Sequence, residues 1–290
     1  MITTSTQLRA KELIENSPKL GSPPLVYRRL MEVINHPRGG AGDVANVIRE
    51  DTALTGRLLK LVNSAFFAFP KKIETVSQAV SVVGTSQVRD LALATSVTDL
   101  FKDVPPDFID VDGFWKHSLA CGVAARVISS MRNEANVERF FVAGILHDVG
   151  RLIMVMQAPE HVTTVMQRAE ERMTLLYETE QEVIGFDHGR LGGALMDHWQ
   201  MPDAFREGIR LHHEPNRAER YPVEAATVHM ADIFATALQM GSSGERFVPP
   251  ISAGAWTKLG MDPGVMGFAV EEIDRQYAAS VHLLGLALED

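Results

Sequence analysis

The sequence predicts an all-α protein built from two helical halves. Three observations carry that prediction. Apolar residues recur at three- and four-residue spacing through every long segment, and no alternating strand pattern persists. Helix starts and stops recur along the chain. Asp43, Asp51, Asp187 and the pair Asp262-Pro263 stand where helices begin; Gly84 and the run His36-Pro37-Arg38-Gly39-Gly40 stand where they end. Finally, the stretch VPPDFIDVDG at 104–113 is Pro-rich and acidic, and helical periodicity resumes after it. It places a boundary near residue 108. The expected organisation is an N-terminal extension over 1–19, a first half over 20–108, a second half over 109–240 and a C-terminal helical segment over 241–290.

The elements follow in order. Residues 1–19 are polar and predict a short helix over 6–16, which Pro23-Pro24 separates from the next. A helical pattern returns over 25–34. Asp43 is placed to cap a helix running to Arg49, and Asp51 or Thr52 to cap the following one. In that helix Leu54, Leu58, Leu61, Val62 and Ala65 form an apolar stripe. Asn63 and Ser64 interrupt it and are expected to pair with backbone or with each other. Pro70 and Lys71-Lys72 mark a turn, and helices follow over 73–83 and 86–101. In the second half, 114–131 carries Leu119, Val123 and Val127 on one side. Residues 157–177 read as one long helix whose RAEER run is a solvated face. A further helix spans 223–238, and the last is expected from Asp262 to Leu284 as core completion.

Composition narrows the function. The chain has 290 residues, 46% of them hydrophobic and 22% charged, enough for a substantial core. A net charge of −9 argues against a general nucleic-acid binder and against an anionic membrane surface. A single cysteine, Cys121, rules out an intramolecular disulfide and a cysteine-rich zinc module, and it reads as a small buried residue. No apolar run approaches a membrane span, and MITTSTQLRAKEL has no secretory core. A cytoplasmic protein is expected.

The chemistry concentrates in FVAGILHDVGR, residues 141–151. Phe141, Gly144, Ile145 and Asp148 share the spacing of one helix face, which puts His147 and Asp148 on the last turn, with Gly150 as a left-handed stop. An imidazole beside a carboxylate suits a borderline divalent metal. Asp187 is a plausible N-cap, so His188 falls in the first turn of its helix, where the dipole favours the neutral imidazole a metal needs. His212 and His213 stand at a helix end before Pro215. Asp232 shares an apolar helix face with Ala225, Val228, His229 and Ala235. An unpaired carboxylate there is costly, so a metal or a histidine is required, with His229 as a candidate partner. His117, taken alone, reads as an ordinary core histidine.

Residues 20–101 resemble the first half of an HDOD domain. The likeness rests on Pro23-Pro24, the acidic start Asp51-Thr52-Ala53-Leu54-Thr55, Leu58-Leu59, Asn63-Ser64-Ala65-Phe66-Phe67 and the segment from Ile73 to Gly84. Thr52 stands where the pattern usually has Pro. The second half carries FWKHS, GILHDVGR, GFDHGRLGGALMDHW and IRLHHEP. Their order resembles the HD metal-dependent phosphohydrolase superfamily, to which HDOD domains belong. The likeness spans residues 20–240.

This resemblance implies an all-α, single HDOD-type domain: an N-terminal helical subdomain packed on an HD-type helical bundle with a central polar site. It implies that His117, His147, Asp148, His188, His212, His213 and Asp232 hold one or two divalent metal ions, Fe, Mn, Ni or Zn, with Asp148 bridging if two bind. Arg151 stands where the related HD-GYP enzymes, which cleave cyclic di-GMP, commonly carry Lys. Its planar fork suits phosphate oxygens and makes it the candidate phosphate contact. His212-His213-Glu214 is similar to those enzymes, but Arg220-Tyr221-Pro222 follows a different loop in place of their Gly-Tyr-Pro. Two functions follow. The first is a bacterial regulatory module that contacts signalling proteins and keeps its metal site. The second is a metal-dependent phosphohydrolase acting on a cyclic dinucleotide or another phosphodiester, with a nucleotide or phosphate ligand and metal-activated water.

Overall fold

The computed structural model describes residues 8–64, 67 and 69–281. Helix is the regular structure throughout, and no strand occurs among the described residues. In order the helices are α1 (Ala10–Glu15), α2 (Leu25–Asn35), α3 (Ala41–Arg49), α4 (Thr52–Val62), α5 (Val76–Val83), α6 (Thr85–Val97), α7 (Val111–Met131) and α8 (Val137–Leu146). They continue with α9 (Val149–Gln157), α10 (Pro159–Arg172), α11 (Leu176–Val183), α12 (His188–His198), α13 (Asp203–Arg210), α14 (Pro222–Ala237), α15 (Ala253–Leu259) and α16 (Met266–Ser280).

Helices α2 to α6 pack on one another through the stripe the sequence predicts. Leu54, Leu58, Leu61 and Val62 of α4 are buried in one core with Leu30, Val44, Ile48, Val80 and Leu91; Ala65 lies outside the described residues. Asp51 caps α4 by accepting the Leu54 N–H at 2.8 Å. Asp43 does not cap α3 as expected. Gly40 takes the cap position in extended backbone, and Asp43, three residues on, accepts its N–H at 3.0 Å. Asn63 and Ser64 find backbone partners. Asn63 donates to the Ile73 carbonyl and accepts the Ile73 N–H, both at 2.7 Å, and Ser64 donates to the Leu61 carbonyl at 2.7 Å.

Helix α6 joins the halves, packing on α2, α4 and α5 and also on α8. Asp90 is buried on this helix and held by Arg89, with 2.7 Å from Arg89 Nε to Asp90 Oδ1. The N-terminal segment is not a loose polar extension where it is described. Leu13 and Ile14 of α1 are buried, α1 packs on α9 and α12, and Trp199 donates its indole N–H to the Leu20 carbonyl at 2.9 Å. The start of the expected 6–16 helix falls partly outside the described residues.

The second half is wound around α7, which packs on α8, α14 and α16. Val137–Gln157 does have the length and composition of a membrane span, against expectation, but it is largely buried inside the protein and is broken at His147-Asp148. Such burial is that of a core hairpin. The segment 157–177 is two helices rather than one: Met173 takes a left-handed backbone, φ 54°, which ends α10 before α11 begins. Asp262 caps a short 3-10 turn, Pro263–Val265, that leads into α16. The expected end of α16 at Leu284 lies outside the described residues.

Candidate metal centre

Two close backbone approaches assemble the site. A Cβ on Gly144 would lie 2.6 Å from the Cys121 carbonyl oxygen, so only glycine lets α8 press onto α7 there. That contact carries the end of α8, with His147, towards His117. Gly150 works in the same way: a Cβ would meet the His188 carbonyl oxygen at 2.1 Å. The expected left-handed stop at Gly150 is therefore replaced by a helical residue of α9 packed on the start of α12. The chain bends at Asp148 instead, between α8 and α9, and both His147 and Asp148 reach the same space.

All seven residues singled out in the sequence converge. His117 Nε2 is 3.2 Å from Asp232 Oδ1, and His147 Nε2 is 3.3 Å from Asp148 Oδ1 and 3.8 Å from Asp232 Oδ1. Asp148 Oδ1 is also 2.9 Å from His188 Nε2 and 3.8 Å from His212 Nε2. His213 Nε2 lies 2.8 Å from His188 Nε2, with the His213 ring stacked on Tyr177 at 4.1 Å. Six of the seven are buried, from 0% to 7% exposed, and His213 is half-buried.

Hydrogen bonds behind the rings decide which nitrogen faces inward. His147 Nδ1 lies 2.7 Å from the Gly144 carbonyl oxygen and His212 Nδ1 lies 2.7 Å from that of Ile209. A carbonyl can only accept, so each Nδ1 carries a proton and donates it, and each ring turns its Nε2 into the cluster. His188 Nδ1 donates to Glu180 Oε2 at 2.6 Å, and the same oxygen accepts the His188 backbone N–H at 2.8 Å. A carboxylate behind a histidine fixes the ring and raises its basicity as a ligand. His212 Nε2 is buried and makes no hydrogen bond. A buried lone pair left so is costly, and a cation coordinated there removes the cost.

The electrostatics suit a cation as well. Burial pushes the Asp148 carboxyl upward, but His147, Arg151 and His188 outweigh it and hold it well below the usual carboxylate range. Asp232 is likewise pushed up by burial and held well below that range by hydrogen bonds from His117 and His147. Both are therefore anionic. His212 is pushed down to about 3, first by burial and then by the neighbouring His147 and His188, so it is neutral. For His188, burial opposes the charge and Glu180 and Asp148 outweigh it, raising the ring to about 9. The helix start thus does not decide its protonation, contrary to the expectation from the dipole.

Arg151 is buried beside the cluster. Its Nε is 3.6 Å from Asp148 Oδ2 and Nη1 donates to the Ser243 carbonyl at 3.0 Å. It also lines a cavity of about 40 Å³ with Phe108, Met154, Val155 and Leu176. His229 does not partner Asp232. Its Nδ1 donates to the His212 carbonyl at 2.7 Å and its Nε2 accepts the Ser252 N–H at 3.0 Å, so it anchors the histidine pair from behind. Two residues were not picked out in the sequence. Glu180 sits on an acidic, ordinary-looking helix eight residues before His188, and nothing local marks it. Cys121 lies 3.4 Å from His117 Nε2 and 3.8 Å from His147 Nε2. Its spacing from His117, one helical turn, was the available signal.

An all-helical protein with a His-Asp pair at a helix junction and further histidines and a carboxylate closing on it is of the HD type. The HDOD domain family model matches residues 20–215, and the chain belongs to that family. Asp232 lies beyond the matched residues. A Treponema pallidum (strain Nichols) protein of uncharacterised function is 26% identical over 235 residues, covering 80% of this chain. The match covers 45% of that relative, so the chain spans less than half its length. Among solved structures, an HDOD domain protein of unknown function from Geobacter sulfurreducens aligns with TM-score 0.73 and 23% identity, over 97% of this chain and 96% of the other. A Shewanella amazonensis SB2B protein to which phosphohydrolase activity is ascribed gives TM-score 0.73 and 23% identity, over 94% and 97%. A Marinobacter aquaeolei VT8 protein to which a signal-transduction role is ascribed gives 0.71 and 19%, over 99% and 67%. At these identities the likeness establishes the fold.

Proposed function

We propose that this protein is a metal-bearing HDOD regulatory module of the bacterial cytoplasm, which engages signalling proteins through its helical surface. His117, His147, Asp148, His188, His212, His213 and Asp232 are the residues to hold one or two divalent ions. Asp148 Oδ1, within 3.8 Å of His147, His188 and His212, is the shared donor. Imidazole and carboxylate donors favour Fe, Mn, Ni or Zn. Bound there, the metal supplies positive charge that relieves the orphaned His212 lone pair and neutralises two buried carboxylates. The observation that carries this reading is burial: the seven imidazole and carboxylate residues converge, yet six of them are no more than 7% exposed. Such a centre supports a fold better than it admits a substrate. The −9 charge supports protein partners over nucleic acid. Metal-loaded protein tested against cyclic dinucleotides and simple phosphodiesters is expected to show no turnover, while chelation lowers its melting temperature.

One observation favours the second reading, a metal-dependent phosphohydrolase. His117 lines a cavity of about 250 Å³ with Thr236, Gln239, Ser242 and Arg246. A phosphate reaching the centre from there would pass Arg246 and Glu245 at the rim, with Arg151 on the far side of Asp148 as the phosphate contact. Metal-dependent turnover in the same screen replaces the regulatory reading with this one.

A further inference from the structure

We propose that Cys121 is a metal ligand, forming with His117, His147 and Asp232 a four-donor centre of two nitrogens, one oxygen and one sulfur. This rests on the metal-bearing reading above and makes the two halves of the site chemically unequal. Cys121 follows His117 by one turn of α7, so both side chains leave the same helix face. The Sγ atom is 3.4 Å from His117 Nε2 and 3.8 Å from His147 Nε2. A tetrahedral ion with metal–sulfur near 2.3 Å and metal–nitrogen near 2.0–2.1 Å sets sulfur and nitrogen about 3.6 Å apart. The same geometry sets nitrogen and oxygen about 3.4 Å apart. Asp232 Oδ1 stands 3.2 Å from His117 Nε2 and 3.8 Å from His147 Nε2. One ligand atom from each of the four residues lies within 4.8 Å of all the others.

The orientation of His147 points the same way. The Gly144 carbonyl accepts the His147 Nδ1–H, which turns Nε2 towards the thiol. His212 Nε2, fully buried and without a hydrogen bond, groups instead with His147 and Asp148 on the adjoining side, so His147 stands between the two centres. The neighbouring centre, from His188, His212 and His213 with Asp148, has only nitrogen and oxygen donors. A thiolate makes the first centre softer, so it takes Zn²⁺, Fe²⁺ or Co²⁺ in preference to Mn²⁺. On binding, the S–H proton is released to solvent and a metal–sulfur bond forms, with no electron transferred.

Cys121 is the only cysteine in the chain, so a thiolate signal has one possible source. Metal-free protein titrated with Co²⁺ is expected to develop a near-ultraviolet thiolate-to-cobalt charge-transfer band as the first equivalent binds. Zn²⁺ is expected to remove the band and Mn²⁺ to leave it. In Cys121→Ser the band is absent while Co²⁺ still binds at the other centre. Wild-type protein that binds Co²⁺ in measured stoichiometry without the band overturns the proposal and leaves the metal-bearing reading standing. Protein that binds no Co²⁺ overturns both, and a band that persists in Cys121→Ser overturns the proposal alone.

Discussion

Single side chains set the chemistry of this site through what stands behind them. Glu180 orients His188 by accepting both its ring and backbone N–H groups. Glu180→Gln is expected to weaken metal binding roughly 10–100-fold while leaving the helical content intact, as measured by competition with a chromophoric chelator. Affinity unchanged from wild type would remove Glu180 from the centre. A second buried carboxylate acts on stability instead. Burial raises Asp90 from 3.8 to about 6, with Arg89 pulling the other way. A carboxyl whose folded value lies above its unfolded value adds stability that is full below about pH 4 and is lost as pH rises through about 6. Asp90→Asn removes that dependence. Denaturant unfolding at pH 4.5 and pH 7 is expected to move the stability gap between wild type and variant towards the variant by on the order of 2 kcal/mol. A gap independent of pH would contradict it. The seven converging residues were legible in the sequence because His and Asp on apolar helices need partners, and the family order pointed to them. Glu180 and Cys121 were not, because their roles depend on what the fold brings opposite them: Glu180 lies on an exposed-looking acidic helix, and Cys121, though one turn from His117, reads in sequence as a small core residue.

At the scale of elements, the periodicity of apolar residues located the helices well. It placed α4, α7 and α14 within a few residues, and the stripe at Leu54, Leu58 and Leu61 is buried as its spacing requires. What it missed were events that depend on partners from elsewhere. Met173 breaks 157–177 in two by taking a left-handed backbone, which no breaker residue announces. Gly150 reads locally as a helix stop, yet its lack of a side chain serves contact with α12, a relation across thirty-eight residues. Gly150→Ala tests that contact. A Cβ placed 2.1 Å from the His188 carbonyl oxygen forces α9 and α12 apart. The expected cost is roughly 1–3 kcal/mol of stability, with a matching loss of metal uptake because Asp148 and His188 separate. Calorimetry and metal analysis on the same sample check both. A variant as stable and as metal-rich as wild type would show that the approach is slack.

For the molecule as a whole, the site is where the chain's two halves gain a common purpose. Helix α6 of the first half packs on α8, whose end carries His147, and α1 packs on α9 and α12, which carry the approach between Gly150 and His188. A metal bound only by the folded state therefore stabilises the entire helical assembly by mass action. The measurement that tests this account most directly is elemental analysis of protein purified without chelator, set beside an Asp148→Ala variant. The account predicts one to two equivalents of a divalent transition metal in the wild type, a clear loss of it in Asp148→Ala, and a melting temperature that falls towards the variant's when the wild type is chelated. Wild-type protein that holds no metal even after supplementation, or an Asp148→Ala variant that holds as much as wild type, would contradict it.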